Sequence, residues 1–212
     1  VKKLAAGISS TEELFKCIHT RTVNKWGKDT ILAALTGLVT EVDADIIGDY
    51  WTEVQLAKQH KQKYQDKMLD ICKEHFPKEL ERLQTIPGIK ERSATSIIAE
   101  LGTDMKSFET AAHLVSWAGL KPRNDESAGR IKGRRITHGN KYLRQILIEC
   151  AWAASKTKGC FYNRFSYTQV TVRRKNRMKV QVAIARKLLV TIWHVLHDVV
   201  DYKEYTDIDK SR

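Results

Sequence analysis

Ser127 lies in a part of the chain whose composition suits attack on a phosphodiester. Residues 120–139 are rich in glycine, show no helical periodicity and predict a long exposed loop, with or without short strands. A serine hydroxyl that attacks a phosphodiester must be exposed, held in a mobile or pre-aimed segment, and surrounded by cations. Four basic residues follow this serine, namely Arg130, Lys132, Arg134 and Arg135. The alternative is an exposed loop serine that has no chemical role.

A second candidate is the turn Ile86-Pro87-Gly88-Ile89, which lies between two predicted helices. Gly88 would let the backbone approach a phosphate closely, and the next helix would present free N–H groups at its N-terminus. Lys90 and Arg92 would add positive charge there. The pattern is typical of a helix-hairpin-helix, which grips the nucleic-acid backbone without reading sequence. A second glycine is usual where this chain has Lys90, so a plain pair of helices is the alternative.

Further basic residues lie near the starts of two later helices. Asn140 is an N-cap candidate for a helix over residues 140–156, in which we expect Tyr142 to face inward. Around that helix start, the candidate phosphate contacts are His138, Lys141 and Arg144. Before the last predicted helix, over residues 176–200, the candidates are Arg173, Arg174, Lys175 and Arg177. The second group could equally be a solvated turn.

The net charge of +12 is concentrated in one third of the chain. Residues 120–190 hold 18 Lys and Arg against three acids, whereas the first 119 residues hold 16 against 17. Such a field attracts polyanions, as a phosphate backbone requires. A basic face that serves solubility alone is the alternative. An anionic membrane surface is a weaker rival, because no amphipathic anchor with Trp, Phe or Leu on one face is evident.

Several classes of protein are disfavoured by composition. No apolar run approaches the roughly 20 residues of a membrane-spanning helix, and we expect a cytosolic protein without a membrane partner. The four cysteines are scattered without a CxxC pair or zinc-finger spacing, so we expect neither a metal nor a disulfide in this chain.

The elements that carry these residues are predicted to be mainly helical, without a convincing sheet. A long helical pattern covers residues 41–76, with apolar residues at spacings of three or four that begin at Val42, Ile46 and Tyr50. We interpret it as a spacer or coiled-coil arm that would join copies of the chain. The alternative is a long helix packed within one molecule. The expected organisation is a helical region over 1–78, a helical domain over 79–203 and a frayed tail over 204–212.

One set of motifs resembles a known family over about residues 80–155. It resembles the C-terminal domain of the DEDD insertion-sequence transposases, the IS110 and IS1111 group. The motifs are Leu83-Gln84-Thr85-Ile86-Pro87-Gly88-Ile89, Ile97-Ile98-Ala99-Glu100-Leu101-Gly102, Leu114-Val115-Ser116-Trp117-Ala118-Gly119-Leu120-Lys121-Pro122, Ser127-Ala128-Gly129 and Ile136-Thr137-His138-Gly139-Asn140-Lys141-Tyr142-Leu143-Arg144.

This resemblance implies a function and partners. In that family an N-terminal RuvC-like domain carries four acids that bind a divalent metal such as Mg²⁺, a coiled coil follows, and the C-terminal domain supplies a nucleophilic serine. It implies that Ser127 attacks DNA and forms a phosphoserine link before strand exchange. It also implies a structured guide RNA as a partner besides DNA.

The sequence departs from the family pattern in two places. Residues 1–80 do not resemble a RuvC-like strand series, and the chain opens with Val1, so we expect a fragment without the metal-binding half and without a cofactor of its own. Ala128 stands where related sequences often have glycine. A non-catalytic helical nucleic-acid-binding module remains the alternative function.

Overall fold

The computed structural model describes residues 3–6, 10–36, 40–122, 125–127, 130–133 and 136–204. It is mainly helical, which confirms the predicted fold class. The chain forms two compact units, Val1–Tyr64 and Gln65–Arg212. The division falls inside the long helix, whereas the sequence suggested a boundary between residues 78 and 79. None of the helices in the described ranges is long and apolar enough to cross a membrane.

The first unit has little core. Among its described residues, Ile31 is the only buried hydrophobic side chain. A helix that the sequence analysis did not predict is capped by His19, whose ring accepts a hydrogen bond from the Arg21 N–H at 3.0 Å. The elements are a 3₁₀ turn at Leu4–Ala6, α1 at Thr11–Phe15, α2 at Thr20–Trp26, α3 at Lys28–Leu35 and the start of α4 at Glu41–His75.

Helix α4 has 35 residues and nearly the predicted bounds. The Thr40 hydroxyl caps it by accepting from the Asp43 N–H at 3.2 Å. Pro77 begins the next helix instead of extending this one, because proline has no N–H to donate within a helix. The predicted apolar stripe is exposed in the first unit, with 66% of Val42 and 65% of Tyr50 accessible to solvent.

The second unit has a continuous core. All buried hydrophobic residues of the described ranges except Ile31 belong to it. Helix α10 lies at its centre and packs against α7 and α8, with Ile184, Leu188 and Ile192 fully buried. The elements are α5 at Pro77–Gln84, α6 at Glu91–Leu101, a 3₁₀ turn at Met105–Ser107, α7 at Ala111–Trp117, α8 at Lys141–Ala154, α9 at Phe161–Tyr167, a π turn at Thr168–Val172 and α10 at Arg177–His197.

The serine-bearing stretch contains two short strands, which is one of the two forms predicted for this loop. Strands β1 (Asp125–Ser127) and β2 (Arg130–Gly133) pair in antiparallel fashion. Strands of three and four residues are too short to show a period of two above chance. The rest of the predicted loop is irregular where it is described.

The C-terminal segment returns to the core as far as Glu204, the first residue of the predicted tail. The Tyr202 N–H donates to the Thr85 hydroxyl at 3.0 Å, and Glu204 pairs with Arg164 at 3.6 Å. These contacts connect the end of the described chain to α9 and to the turn after α5.

Candidate nucleic-acid interface

The backbone of the β1–β2 hairpin sets the position of the candidate nucleophile. Ser127 pairs with Arg130 in the register, and Glu126 pairs with Ile131. An irregularity follows, because Asp125 pairs with Gly133. Only residues 128 and 129 separate the strands along the chain. The register therefore puts the predicted nucleophile opposite a basic residue, as the predicted chemistry requires.

Not every predicted residue of this hairpin can be located. Lys132 lies on β2, two positions after Arg130. Arg134 and Arg135 lie outside the described residues, as do residues 128 and 129. Their contact with a phosphate stays a prediction.

The foot of the hairpin is formed by two segments that run side by side. Pro122 and Ile136 form an isolated bridge, and the Thr137 N–H donates to the Lys121 carbonyl at 3.0 Å. These contacts fix the two ends of the segment that carries Ser127.

Below the foot, two glycines permit a close crossing of the backbone. A Cβ on Gly139 would lie 2.5 Å from the Trp117 carbonyl oxygen, and a Cβ on Gly119 would lie 2.9 Å from the Thr137 carbonyl oxygen. Contacts this short leave no room for a side chain at either position. Gly119 also has a φ of +69°, which favours glycine.

Asn140 connects this crossing to two helices. Its Oδ1 accepts from the Tyr142 and Leu143 N–H groups at 2.9 and 3.0 Å, which confirms the predicted N-cap of α8. Its Nδ2 donates to Glu100 Oε2 near the end of α6, at 2.8 Å. The hairpin foot is thus anchored to the helical core through one side chain.

Exposed cations surround the start of α8. We call this region, which includes residues 138–144, the hairpin end. His138 and Lys141 are exposed, and Arg144 is half-buried. The Lys141 ammonium lies 4.9 Å from the centre of the Tyr142 ring. Tyr142 itself is 58% exposed, so the prediction that it faces inward was wrong.

The turn before α6 packs against the other end of α8, which we call the turn end. Gly88 has a φ of +87°, and a Cβ there would lie 2.5 Å from the Cys150 carbonyl oxygen and 2.6 Å from the Ala154 nitrogen. Packing on α8 therefore requires glycine at position 88. The sequence suggested a different reason for this glycine, the close approach of a phosphate. Contact between this turn and a phosphate stays a prediction.

The start of α6 carries the two cations predicted for this turn. Lys90 is exposed, and its N–H donates to the Ser93 hydroxyl at 2.9 Å. Glu91 pairs with Lys73 at 2.8 Å, and that hydrogen bond raises the pKa of Lys73. Arg92 is exposed and borders a small crevice together with Asp66. Acidic side chains therefore accompany the predicted cations at this helix start.

The second basic group, Arg173, Arg174, Lys175 and Arg177, also belongs to the turn end, and all four residues are exposed. The Arg177 guanidinium carbon lies 5.0 Å from the centre of the Trp152 ring on α8. Trp152 is 11 positions after Lys141, a separation of about 16 Å along the helix axis. The predicted contact residues are therefore divided between the two ends of α8.

Two residues of the hairpin end were missed as site candidates. Trp117 is 42% exposed at the end of α7, and it borders a surface depression together with Tyr142. Both aromatic residues were visible in the sequence beside the basic stretch. Their exposure was not, because an aromatic residue near the end of a helix is as compatible with burial as with exposure.

The described residues do not provide a metal site. No group of three or more His, Cys, Asp or Glu side chains in the described ranges could hold an ion. Cys72 and Cys150 are buried free thiols, and burial raises the pKa of both, which keeps them protonated at neutral pH. The divalent metal implied by the resemblance does not fit the residues described here.

Comparison with known proteins finds relatives of the second unit. Residues 80–166 match the family described as "Transposase IS116/IS110/IS902 family". The chain is 30% identical over 122 residues to an insertion element IS110 uncharacterized 43.6 kDa protein of Streptomyces coelicolor. It is 33% identical over 121 residues to the pilin gene-inverting protein of Moraxella bovis. It is 27% identical over 135 residues to the transposase for insertion sequence element IS1111A of Coxiella burnetii.

These matches cover much of this chain and a smaller part of each relative. The aligned shares are 57%, 54% and 63% of this chain, against 29%, 35% and 36% of the three relatives. The chain therefore corresponds to about a third of the length of the relatives. The family match spans α5 to α9, and so includes the turn before α6, the β1–β2 hairpin and α8.

Proposed function

We propose that this chain is the DNA-binding, serine-bearing part of a transposase or site-specific recombinase, because residues 80–166 match a family model of IS110-group transposases. The observation that carries the proposal is the hairpin register, in which Ser127 lies opposite Arg130 above an anchored foot. The 18 basic residues against three acidic residues in 120–190 support DNA as the ligand.

The proposed reaction is a transesterification at a DNA phosphate. The Ser127 Oγ forms a bond to phosphorus and loses its proton, while one P–O bond of the strand breaks and the departing sugar oxygen takes up a proton. The number of ester bonds is unchanged, so a hydroxyl of another strand can reverse the step and complete an exchange. Arg130 and Lys132 would stabilise the negative charge that develops on the phosphate oxygens.

A divalent metal such as Mg²⁺ would supply further charge stabilisation in the complete protein. Its ligands are not among the described residues, and we assign it no role in the chemistry of this chain.

The two ends of α8 would contact different phosphates of one DNA molecule. The hairpin end, with His138, Lys141 and Arg144, would surround the reacting phosphate. The turn end, with Lys90 and the basic group before α10, would hold the backbone about 16 Å away, or about five base pairs along the duplex. A structured guide RNA is a further proposed partner for the same basic surface.

Helix α4 would join this chain to a second copy of itself. Val42, Ile46, Tyr50 and Val54 follow one another at intervals of four residues and are 44 to 66% exposed. When a partner helix covers such a row of apolar side chains, their burial stabilises the pair of helices. Light scattering should report an oligomer that Val54→Glu dissociates, whereas Lys63→Glu, at an exposed position on the opposite face of α4, should not dissociate it. A monomeric wild-type chain would remove this part of the proposal.

The substitution Ser127→Ala in the full-length protein tests the catalytic assignment. Recombination between element ends should fall by at least about a thousandfold, because the nucleophile is lost. DNA affinity should be unchanged. Ser116→Ala is the matched control, because Ser116 is an exposed serine of the same unit and should be dispensable. Unchanged recombination after Ser127→Ala would instead favour a non-catalytic nucleic-acid-binding module.

A salt titration of this chain tests the electrostatic assignment. With six or more phosphate contacts, DNA affinity should fall by about a thousandfold between 50 and 200 mM salt. A flat response would contradict binding through the basic surface.

A further inference from the structure

Two exposed aromatic rings border an open depression at the hairpin end. Trp117 is 42% exposed and Tyr142 is 58% exposed, although both belong to a unit with a continuous core. The depression has a volume of about 490 Å³ and is lined by Trp117, Gly139, Asn140, Lys141 and Tyr142. It lies directly below the foot of the hairpin that carries Ser127.

The backbone that carries both rings is fixed. The Trp117 carbonyl accepts the Asn140 N–H at 3.2 Å, and the Trp117 ring meets the Phe108 ring edge-on with centroids 5.5 Å apart. The Tyr142 N–H is held by the cap at Asn140. Rings that are already positioned lose little conformational freedom on binding, which favours affinity.

The exposure of these rings is selective. On α7, Leu114 and Val115 are buried, and on α8 the neighbouring Leu143 is fully buried. Trp117 and Tyr142 therefore stay at the surface although aliphatic residues beside them on the same helices are buried in the core. An aromatic ring beside a cation is a surface to which a flat, partly polar group can bind.

The chemistry of the depression favours a nucleobase. Every base has a face that stacks on an aromatic ring, and the stacking does not depend on sequence. The Lys141 ammonium beside the Tyr142 ring offers a charge to the phosphate of the same nucleotide. An apolar protein segment would gain nothing from this ammonium or from the basic residues on β2.

We propose that Trp117 and Tyr142 form a stacking platform for an unpaired base of the DNA strand that Ser127 attacks. The inference rests on the proposed function, because it places the base next to the reacting phosphate. Unpairing and unstacking a base opposes binding, and stacking on the platform offsets that cost. The platform would hold open the DNA at the site of strand cleavage.

The test measures binding of this chain to three labelled DNA duplexes of equal length. One is fully paired, one carries a single bulged base, and one carries an abasic nucleotide at the bulge. The wild-type chain should bind the bulged duplex more tightly than the other two. A 2-aminopurine in the bulge should lose fluorescence on binding, because that base is quenched when it stacks on an aromatic ring.

The variants Trp117→Ala and Tyr142→Ala should each weaken binding of the bulged duplex by about fivefold to a hundredfold. They should leave the fully paired duplex unaffected. Trp117→Phe retains a ring and should retain most of the preference. Tyr167→Ala is the matched control, because Tyr167 is 62% exposed elsewhere in the same unit and should have no effect.

The outcomes separate this inference from the proposed function. If the chain binds DNA without preference for the bulge, or if the preference survives Tyr142→Ala, the platform assignment fails and the proposed function stands. If no DNA binds in dilute buffer, the proposed function fails first. If a bulged RNA of the same sequence binds more tightly than the DNA, the assignment to the DNA strand is overturned. Circular dichroism checks that each variant is folded. If Trp117→Ala does not fold, the result for Tyr142→Ala alone decides whether the platform assignment holds.

Discussion

The two ends of α8 both depend on glycine, but for different purposes. At the turn end, Gly88 allows a turn to lie against the helix backbone at Cys150 and Ala154. At the hairpin end, Gly119 and Gly139 allow two irregular segments to cross before they continue into the hairpin. The first contact joins elements of the core, whereas the second fixes the base of a segment that extends from it.

This difference separates the packing role of Gly88 from the positioning role of the glycine crossing. A change of Gly88 should lower stability and leave the geometry of the hairpin intact. A change at the hairpin end should affect the position of Ser127 as well as stability, because Asn140 and the glycine crossing hold the foot of the hairpin.

The largest expected effect is that of Gly88→Ala. The new Cβ would combine an unfavourable positive φ with contacts of 2.5 and 2.6 Å to helix backbone, which cannot move easily. We expect the free energy of unfolding to fall by about 4 kcal/mol, measured by urea denaturation. Gly159→Ala is the control, because its φ of +83° is similar but no atom lies within 4 Å. It should cost only about 1 kcal/mol. If Gly88→Ala and Gly159→Ala lowered the free energy of unfolding equally, the packing of Gly88 on α8 would be unimportant.

The substitution Gly139→Ala should have the next largest effect. Its Cβ would meet the Trp117 carbonyl at 2.5 Å, but the crossing segments are irregular and can shift more than a helix can. We expect a loss of about 2 to 3 kcal/mol in urea denaturation. In the full-length protein, recombination should fall further than in a Gly88→Ala variant compared at a temperature where both are folded. Equal recombination in the two variants would remove the distinction between the ends.

Removal of the basic group at the turn end should weaken DNA binding without affecting stability. We expect the combined change of Arg173, Arg174 and Lys175 to alanine to lower affinity by about tenfold to a hundredfold. The slope of log affinity against log salt should become shallower by up to about 2.7, since each lost phosphate contact contributes about 0.9. Fluorescence anisotropy at several salt concentrations measures both quantities.

The control for this experiment removes the same number of charges from the first unit. Lys58, Lys61 and Lys63 are exposed on α4, in a part of the chain where basic and acidic residues balance. Their change to alanine should leave the salt slope nearly unaltered. The same loss of slope in both triple variants would mean that DNA binding is not directed to the turn end.

The smallest expected effect is that of Asn140→Ala. The substitution removes the cap of α8 and the hydrogen bond to Glu100, and it should cost about 1 to 2 kcal/mol in thermal or urea unfolding. Asn176→Ala, which removes the cap of α10, should cost about 1 kcal/mol and leave the hairpin unaffected. A loss of recombination after Asn176→Ala as large as that after Asn140→Ala would contradict the anchoring role of Asn140.

Helix positions were predictable because they depend on local chemistry. The helices α4, α8 and α10 differ from the predicted ranges 41–76, 140–156 and 176–200 by no more than three residues at either end. Gly102 and Pro77 mark helix ends through their own backbone preferences, and Asn140 marks one through its side-chain cap, so these signals are local. The helix at Thr20–Trp26 was missed, since no strong stop or cap residue of the usual kind precedes it.

The candidate site was only partly predictable. The serine, the basic residues and their order along the chain follow from the sequence, as does the resemblance that the comparisons confirm. The division of the basic residues between two ends of α8 does not, because it depends on the contacts of Gly88 and Asn140 with residues 40 or more positions away. The exposure of Trp117 and Tyr142 depends on the same long-range packing.

The sequence by itself determined the helical class, the resemblance of the second unit to a transposase family and the concentration of positive charge around Ser127, since periodicity, motifs and charge are properties of neighbouring residues. Only the tertiary structure decided which glycines serve packing, which cations share an end of α8 and which aromatic rings stay at the surface. Those features depend on how α6, α7 and α8 pack, and packing is a property of residues that are distant in the chain and close in space.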